Sequence, residues 1–169
     1  MNITSHLFGG DDDLRRLKDF VVACLGDAAH HNYWQLRDLL WAMYQNTVFD
    51  PFQNVRLWES AAGELLGFAW FGKRDVMLQV HPRLRGDDRL EDEMLAWGEQ
   101  RWRELTGGSD AERPLLSSAF EDDALRIAVL ARHGFTRDDT CLLHMHQDLD
   151  RPIPALERAA GPPSKATGA

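Results

Sequence analysis

The sequence predicts an α/β fold of the α+β kind: a mixed, mostly antiparallel central sheet with helices on both faces. Two observations carry this. Residues 55–80 contain VRLWE, LLGFAWF and VMLQV, short runs rich in β-branched, aromatic and aliphatic residues, separated by the turn sequences SAAGE and GKRD. That spacing reads as a three-stranded antiparallel meander. Residues 76–120 then run strand, long helical pattern, strand, and a helix joining two strands of one sheet implies a parallel crossover. The helical patterns before and after the meander supply the layers that bury such a sheet.

The elements follow in order. A short strand is expected at residues 3–8, ITSHLF. Asp11, Asp12 and Asp13 offer N-cap groups to a helix whose Leu14, Leu17, Val21, Cys24 and Leu25 recur at helical spacing, with its stop at Gly26. In NYWQLRDLLWAMYQN, Leu36, Leu39, Leu40, Met43 and Tyr44 share one side of a second helix that ends near Asn46. After the meander a helix starts at Asp88, with Leu90, Met94, Trp97, Arg101 and Leu105 in one stripe and Gly107 and Gly108 at its end. PLLSSAF, residues 114–120, is a short strand, EDDALRIAVLARHG a helix stopped by Gly134, and CLLHMHQDL a last strand.

A chain of 169 residues with 44% hydrophobic content suits one domain, expected over residues 1–149. Residues 150–169 concentrate Pro152, Pro154, Pro162 and Pro163 among small residues and read as a linker or tail. The formal charge of -8 argues against a nucleic-acid surface, so an anionic ligand must find local positive potential. The first residues lack a basic flank and a long apolar run, which points away from a signal peptide or a membrane span and toward the cytoplasm. Cys24 and Cys141 lie far apart in apolar patterns and read as buried thiols. His30-His31 and His144-x-His146 lack further ligands at recognisable spacing, so no metal site is expected.

The chemistry concentrates in HPRLRGDDRLEDEML, residues 81–95. Arg83, Arg85 and Gly86 stand just ahead of a helix, where free backbone N–H groups carry partial positive charge and favour a phosphate. Asp87, Asp88, Glu91, Asp92 and Glu93, against Arg89 alone, oppose an anion there. The same acids would also cap that helix and complement its dipole without any ligand. Both readings stay open at this stage.

With its element order, this segment resembles the GNAT family of acyl-CoA-dependent N-acyltransferases, over roughly residues 3–148. In that family a strand ending in V-x-P enters a turn [RQ]-x-x-G-x-[GA] that holds the cofactor diphosphate. Here Val80-His81-Pro82 is followed by a matching Arg83 and Gly86, whereas Asp88 occupies the last small position. Gly134-Phe135 matches a second signature, in which Leu130 replaces the tyrosine that protonates the departing thiolate, and Asp123 falls near its asparagine. The run YWQLRDLLWAMYQNTVFDPFQNVRLWE and the ending DLDRPIPA resemble the N-terminal half of bacterial tandem GNAT proteins.

The resemblance implies acetyl-CoA as co-substrate and an amine of a small molecule or peptide as acceptor. It implies that the backbone of Leu78, Gln79 and Val80 receives the pantetheine arm, with an N–H of Val80 or a neighbour on the thioester carbonyl. Arg83, Arg85, Gly86, Asp87, Asp88 and Arg89 would surround the diphosphate. Ser118, or Ser117, would replace the tyrosine; Glu59, with Glu64, Asp75, His81 and His133, supplies titratable groups for the amine proton. The aromatics Tyr33, Trp34, Trp41 and Tyr44 lie where the family shapes its acceptor pocket, and core packing is the competing role. A homodimer or a second GNAT domain is the implied partner. The alternative is a catalytically degenerate GNAT-fold module that packs against a catalytic domain.

Overall fold

The computed structural model describes residues 2–27, 34–44, 50–72, 74–86, 88–107 and 114–139. The elements are β1 (Ile3–Leu7), α1 (Asp11–Asp27), α2 (Leu36–Tyr44), α3 (Pro51–Asn54), β2 (Val55–Ser60), β3 (Leu65–Phe71), β4 (Val76–Val80), a 3-10 turn at Pro82–Leu84, α4 (Asp88–Thr106) and α5 (Ala124–Arg132). Residues 1–136 make one compact unit, and of residues 137–169, a second unit, only 137–139 are described. Cys141, the last expected strand, both histidine pairs, Tyr33, Asp87 and the side chain of Asp88 lie outside the described residues. No helix among them is long and apolar enough to cross a membrane.

The strands form a sheet in the order β1-β2-β3-β4, each neighbouring pair antiparallel. The expected parallel pairing is present as a bridge between Asp75 and Leu116. Expected as a strand, residues 114–120 pair with β4 only there among the described residues: Val76 N–H donates to Leu116 O at 2.9 Å and Leu116 N–H to Arg74 O at 2.8 Å.

All seven residues of β3 are buried, because helices cover both faces of the sheet. On one face α1 and α2 bring Leu14, Leu17, Phe20, Val21, Cys24, Leu39 and Ala42 against Val55, Leu57, Phe68 and Trp70. On the other, α4 and α5 bring Leu90, Met94, Leu95, Trp97, Val129 and Leu130 against Trp58, Ala69, Phe71, Val76 and Leu78. Gly98 lets α4 lie close to β4, since a Cβ there would stand 2.6 Å from Val76 Cγ2.

Three local expectations change. The N-cap of α1 is Gly10, whose carbonyl accepts from Leu14 N–H at 3.0 Å, while Asp13 reaches back to Gly9 N–H at 2.8 Å. Phe20, rather than Leu25, completes the buried stripe of α1; Leu25 is exposed one step past the edge of that stripe. On α2 the buried pair is Leu39 and Ala42, whereas Trp41 and Tyr44 are exposed and Trp34, just before the helix, packs on Phe68 and Trp70. The short α3 is an addition. Asp50 caps it by accepting from Phe52 N–H at 3.0 Å, and Pro51 sits in its first turn, where no N–H is needed.

Candidate active site

Hydrogen-bond direction alternates along β4. Asp75 O accepts from Gly72 N–H at 2.7 Å and His81 N–H donates to Leu66 O at 2.9 Å, so odd-numbered residues face β3. Even-numbered ones face the other edge. There Val76 is satisfied by Leu116 and by the Ser117 hydroxyl, which donates to Val76 O at 3.0 Å. Further along, pairing with residues 114–120 has ended, and Arg126 Nη1 of α5 reaches Leu78 O at 3.4 Å. The N–H groups of Leu78 and Val80 therefore point along an edge that no strand among the described residues covers. Gln79 faces the α1–α2 layer, buried, its Oε1 accepting from Trp34 N–H at 3.2 Å.

The edge leads directly into the turn. Leu84 N–H donates to His81 O at 2.8 Å and Arg85 N–H to Pro82 O at 3.1 Å. Gly86 then takes φ +95°, a left-handed conformation in which any Cβ is strained. Gly86 of the motif turns the chain and the neighbouring Arg85 anchors it, whereas the motif's arginine, Arg83, pairs with Glu64.

That anchor is a buried ion cluster. Arg85 donates to Glu91 Oε1 at 2.8 Å and also to Asp123 Oδ1. Arg126 Nε donates to Glu91 Oε2 at 2.7 Å, and Asp123, the N-cap of α5, accepts from Arg126 N–H at 3.0 Å. Glu91 is only 2% exposed and Arg126 6%. Two guanidiniums and two carboxylates balance, which a desolvated group of charges requires.

This arrangement sorts the acids after Gly86. Glu91 points inward and is neutralised; Asp92 accepts from Arg132 at 3.0 Å and contacts His133 Nε2 at 3.2 Å; Glu93 faces solvent. The expected diphosphate contacts are also redistributed. Arg85 is committed to carboxylates, Arg83 pairs with Glu64, and Arg89 is exposed at the start of α4. Leu130 is buried in the α4–α5 layer, so its position offers packing and no hydroxyl. Ser118 is exposed one residue past Ser117.

Glu59 stands two strands from β4, on β2, inside a second charged cluster. Arg16 Nη1 donates to it at 2.8 Å and His6 Nε2 at 2.5 Å, while Asp13 lies 3.7 Å from His6. Its hydrogen bond from Arg16, helped by His6 and against the effect of burial, holds its carboxyl below the ordinary 4.5. Burial works against the charged His6 ring, yet the Leu7 carbonyl, Glu59 and Asp13 outweigh it and raise the imidazole above its ordinary 6.5. A pinned, ionised carboxylate is a weak base, so its surroundings fit anchoring of β2 to α1 and β1. Of the other titratable residues, Glu64 pairs with Arg83, His133 Nδ1 lies 2.7 Å from Glu99, and His81 Nδ1 accepts from Arg83 N–H at 3.4 Å.

The signs of these shifts set a stability window. His6, raised on folding, stabilises below about pH 6.5 and loses this contribution as pH rises through its folded value. Glu59, lowered on folding, stabilises above about pH 4.5 and loses this as pH falls through its folded value. Against His6→Gln, the wild-type chain should therefore show its greatest excess melting temperature between about pH 4.5 and 6.5. An excess that grows above pH 8 would contradict the assignment of His6 as the charged partner.

No protein-family model matches the sequence, and no curated protein matches it significantly. Solved structures do match. A GCN5-related N-acetyltransferase from Sphaerobacter thermophilus superposes with a TM-score of 0.57 at 21% identity, over 78% of this chain and 42% of that one. This chain thus spans less than half of that protein's length. A probable acetyltransferase matches with a TM-score of 0.52 at 16% identity, over 88% of this chain and 100% of its own. Glucosamine-6-phosphate N-acetyltransferase from Arabidopsis thaliana matches with a TM-score of 0.51 at 8% identity, over 89% and 100%. The chain thus has the fold of the GCN5-related N-acetyltransferases.

Proposed function

We propose that the protein is an acetyl-CoA-dependent N-acetyltransferase that uses the open edge of β4 and the turn after it. The carrying observation is that edge, where Leu78 and Val80 offer N–H groups immediately before a glycine turn and the start of a 19-residue helix. Acetyl-CoA supplies the activated acetyl group. Along the edge, backbone N–H groups receive the amide-rich pantetheine arm, and Val80 N–H stabilises the negative charge that develops on the thioester oxygen. The start of α4, with the exposed Arg89, attracts the diphosphate. The acceptor amine of a small molecule or peptide attacks the carbonyl carbon, the C–S bond breaks, and the amine proton leaves to solvent. Ser118, directly or through a water, delivers a proton to the thiolate in place of the hydroxyl that Leu130 lacks, and recovers a proton from solvent.

A ligand that binds only the folded state raises its stability by about 2.7 kcal/mol at a hundredfold excess over its dissociation constant. A melting temperature that climbs with acetyl-CoA concentration is therefore expected, and a flat response at millimolar acetyl-CoA overturns the reading. In single-turnover acetylation Ser118→Ala should slow thiolate release; an unchanged rate removes Ser118 from the role.

A specific observation favours the second reading, a degenerate module that packs against a catalytic partner. Arg85 is drawn into Glu91 and Asp123, and Leu130 is buried. The 42% coverage of the Sphaerobacter protein supports a second domain as that partner. Under this reading the acetyl-CoA titration is flat, whereas addition of the partner domain raises the melting temperature.

A further inference from the structure

A second charged cavity lies far from the β4 edge. Its volume is about 300 Å³, and its walls include Arg56 of β2, Leu7 of β1, Gln53 of α3, and Trp97, Arg101 and Glu104 of α4. Arg101 lies thirteen residues beyond Asp88, roughly 20 Å along the α4 axis from the turn. The cavity is therefore separate from the proposed cofactor site and does not depend on it.

The two arginines differ in how their charge is met. Each guanidinium nitrogen of Arg101 has a partner: Nε with Asn54 Oδ1 at 3.1 Å, Nη1 with Glu104 Oε2 at 3.2 Å and Nη2 with Gln53 Oε1 at 3.2 Å. The Arg56 side chain has no ion pair or hydrogen-bond partner among the described residues, and its Nε–H is covered by protein without an acceptor. A covered guanidinium N–H without an acceptor is uncommon in folded proteins, where such groups are normally satisfied. Arg56 also projects from the α4 face of the sheet, beside Trp58 and opposite Leu7, so the surrounding elements hold it at the cavity.

We propose that this cavity binds a small monocarboxylate with a short apolar chain, its carboxylate on Arg56. The charge count selects the ligand. Among the described residues that line the cavity, two guanidiniums against the Glu104 carboxylate leave one positive charge over, which matches a monoanion and disfavours a phosphate dianion beside Glu104. The planar fork of a guanidinium fits a carboxylate through two parallel hydrogen bonds, here from the two Nη groups, since the Nε–H is covered by protein. Leu7 and Trp97 supply an apolar wall for the chain, and Gln53 a polar rim. The volume stands at the lower limit of ligand pockets, about 300 Å³, which suits a few heavy atoms and excludes a nucleotide.

Butyrate is the probe, and the Arg56 Nε–H signal in a ¹H–¹⁵N spectrum, assigned by its loss in Arg56→Lys, is the readout. Butyrate should shift that signal saturably at millimolar concentration, and acetate should do so more weakly for want of the apolar contact. Glu104→Gln, at a half-exposed side chain, should tighten butyrate about two- to fivefold by removing an opposing charge. Arg56→Gln should abolish binding as followed at Trp97. If that variant does not fold, the wild-type titration and the Glu104 variant still decide. A signal unmoved by tens of millimolar butyrate overturns the proposal, as does binding retained in a folded Arg56→Gln. Equal or tighter binding of inorganic phosphate overturns the carboxylate assignment.

Discussion

Glu91→Ala should lower the unfolding free energy by about 3–5 kcal/mol, the cost of breaking a buried ion pair by removing one partner. Arg126 would keep a buried charge whose Nε had Glu91 as its carboxylate, and Arg85 would retain Asp123 alone. For a domain of this size that corresponds to a fall in melting temperature of about 10 °C. Asp92→Ala is the control. Asp92 and Arg132 are 39% and 42% exposed, so their pair contributes about 0–1 kcal/mol. Urea or thermal unfolding of the two variants checks the difference; a Glu91→Ala loss below 1 kcal/mol would mean that water reaches the cluster and replaces the carboxylate.

Gly67→Ala should cost about 1–3 kcal/mol and should also reduce stabilisation by acetyl-CoA. A Cβ at Gly67 would stand 2.7 Å from the Gln79 carbonyl oxygen and 3.4 Å from Val80 Cα. Both neighbours are backbone, so no rotamer change relieves the contact and β4 must move away from β3. The residues displaced are those that present the Val80 N–H. Comparing acetyl-CoA shifts of the variant and the wild-type protein separates the two effects. A lowered melting temperature with an undiminished acetyl-CoA response would show that the position of Val80 is not critical to binding.

What could be read from sequence alone depended on how local its cause was. The meander was legible because each strand is bounded by its own turn residues, and β3 because a seven-residue run without a charge can only be central. The α3 turn also carried a signal, Asp50 before Pro51, but four residues are too few to show a period. Residues 114–120 read as a strand from composition, whereas where they leave β4 depends on tertiary packing.

The candidate site was half legible. The glycine turn at Gly86 carried a local signal, whereas the expectation for the β4 backbone came only from the resemblance to the GNAT family. Nothing local distinguishes Glu91 from Asp92, because an acid among acids reads as solvated until its partner, 35 residues onward, is known. One clue was available from the other side: Arg126 shares the apolar stripe of α5 with Val129 and Leu130, and a guanidinium on a buried face needs a buried carboxylate. Arg56 carries a comparable clue. Alternation with Val55 and Leu57 turns it to the opposite face, which here is covered by α4 as well.

The ion cluster at Arg85 has a further thermodynamic consequence. It ties the turn, α4 and α5 together through side chains whose partners all come from the protein itself. Loops that close only around a ligand spend part of the binding energy on lost conformational freedom. Here the freedom of the turn is surrendered during folding, so under the proposed function a ligand arriving at Gly86 would meet a preorganised backbone, with little ordering entropy subtracted from its affinity.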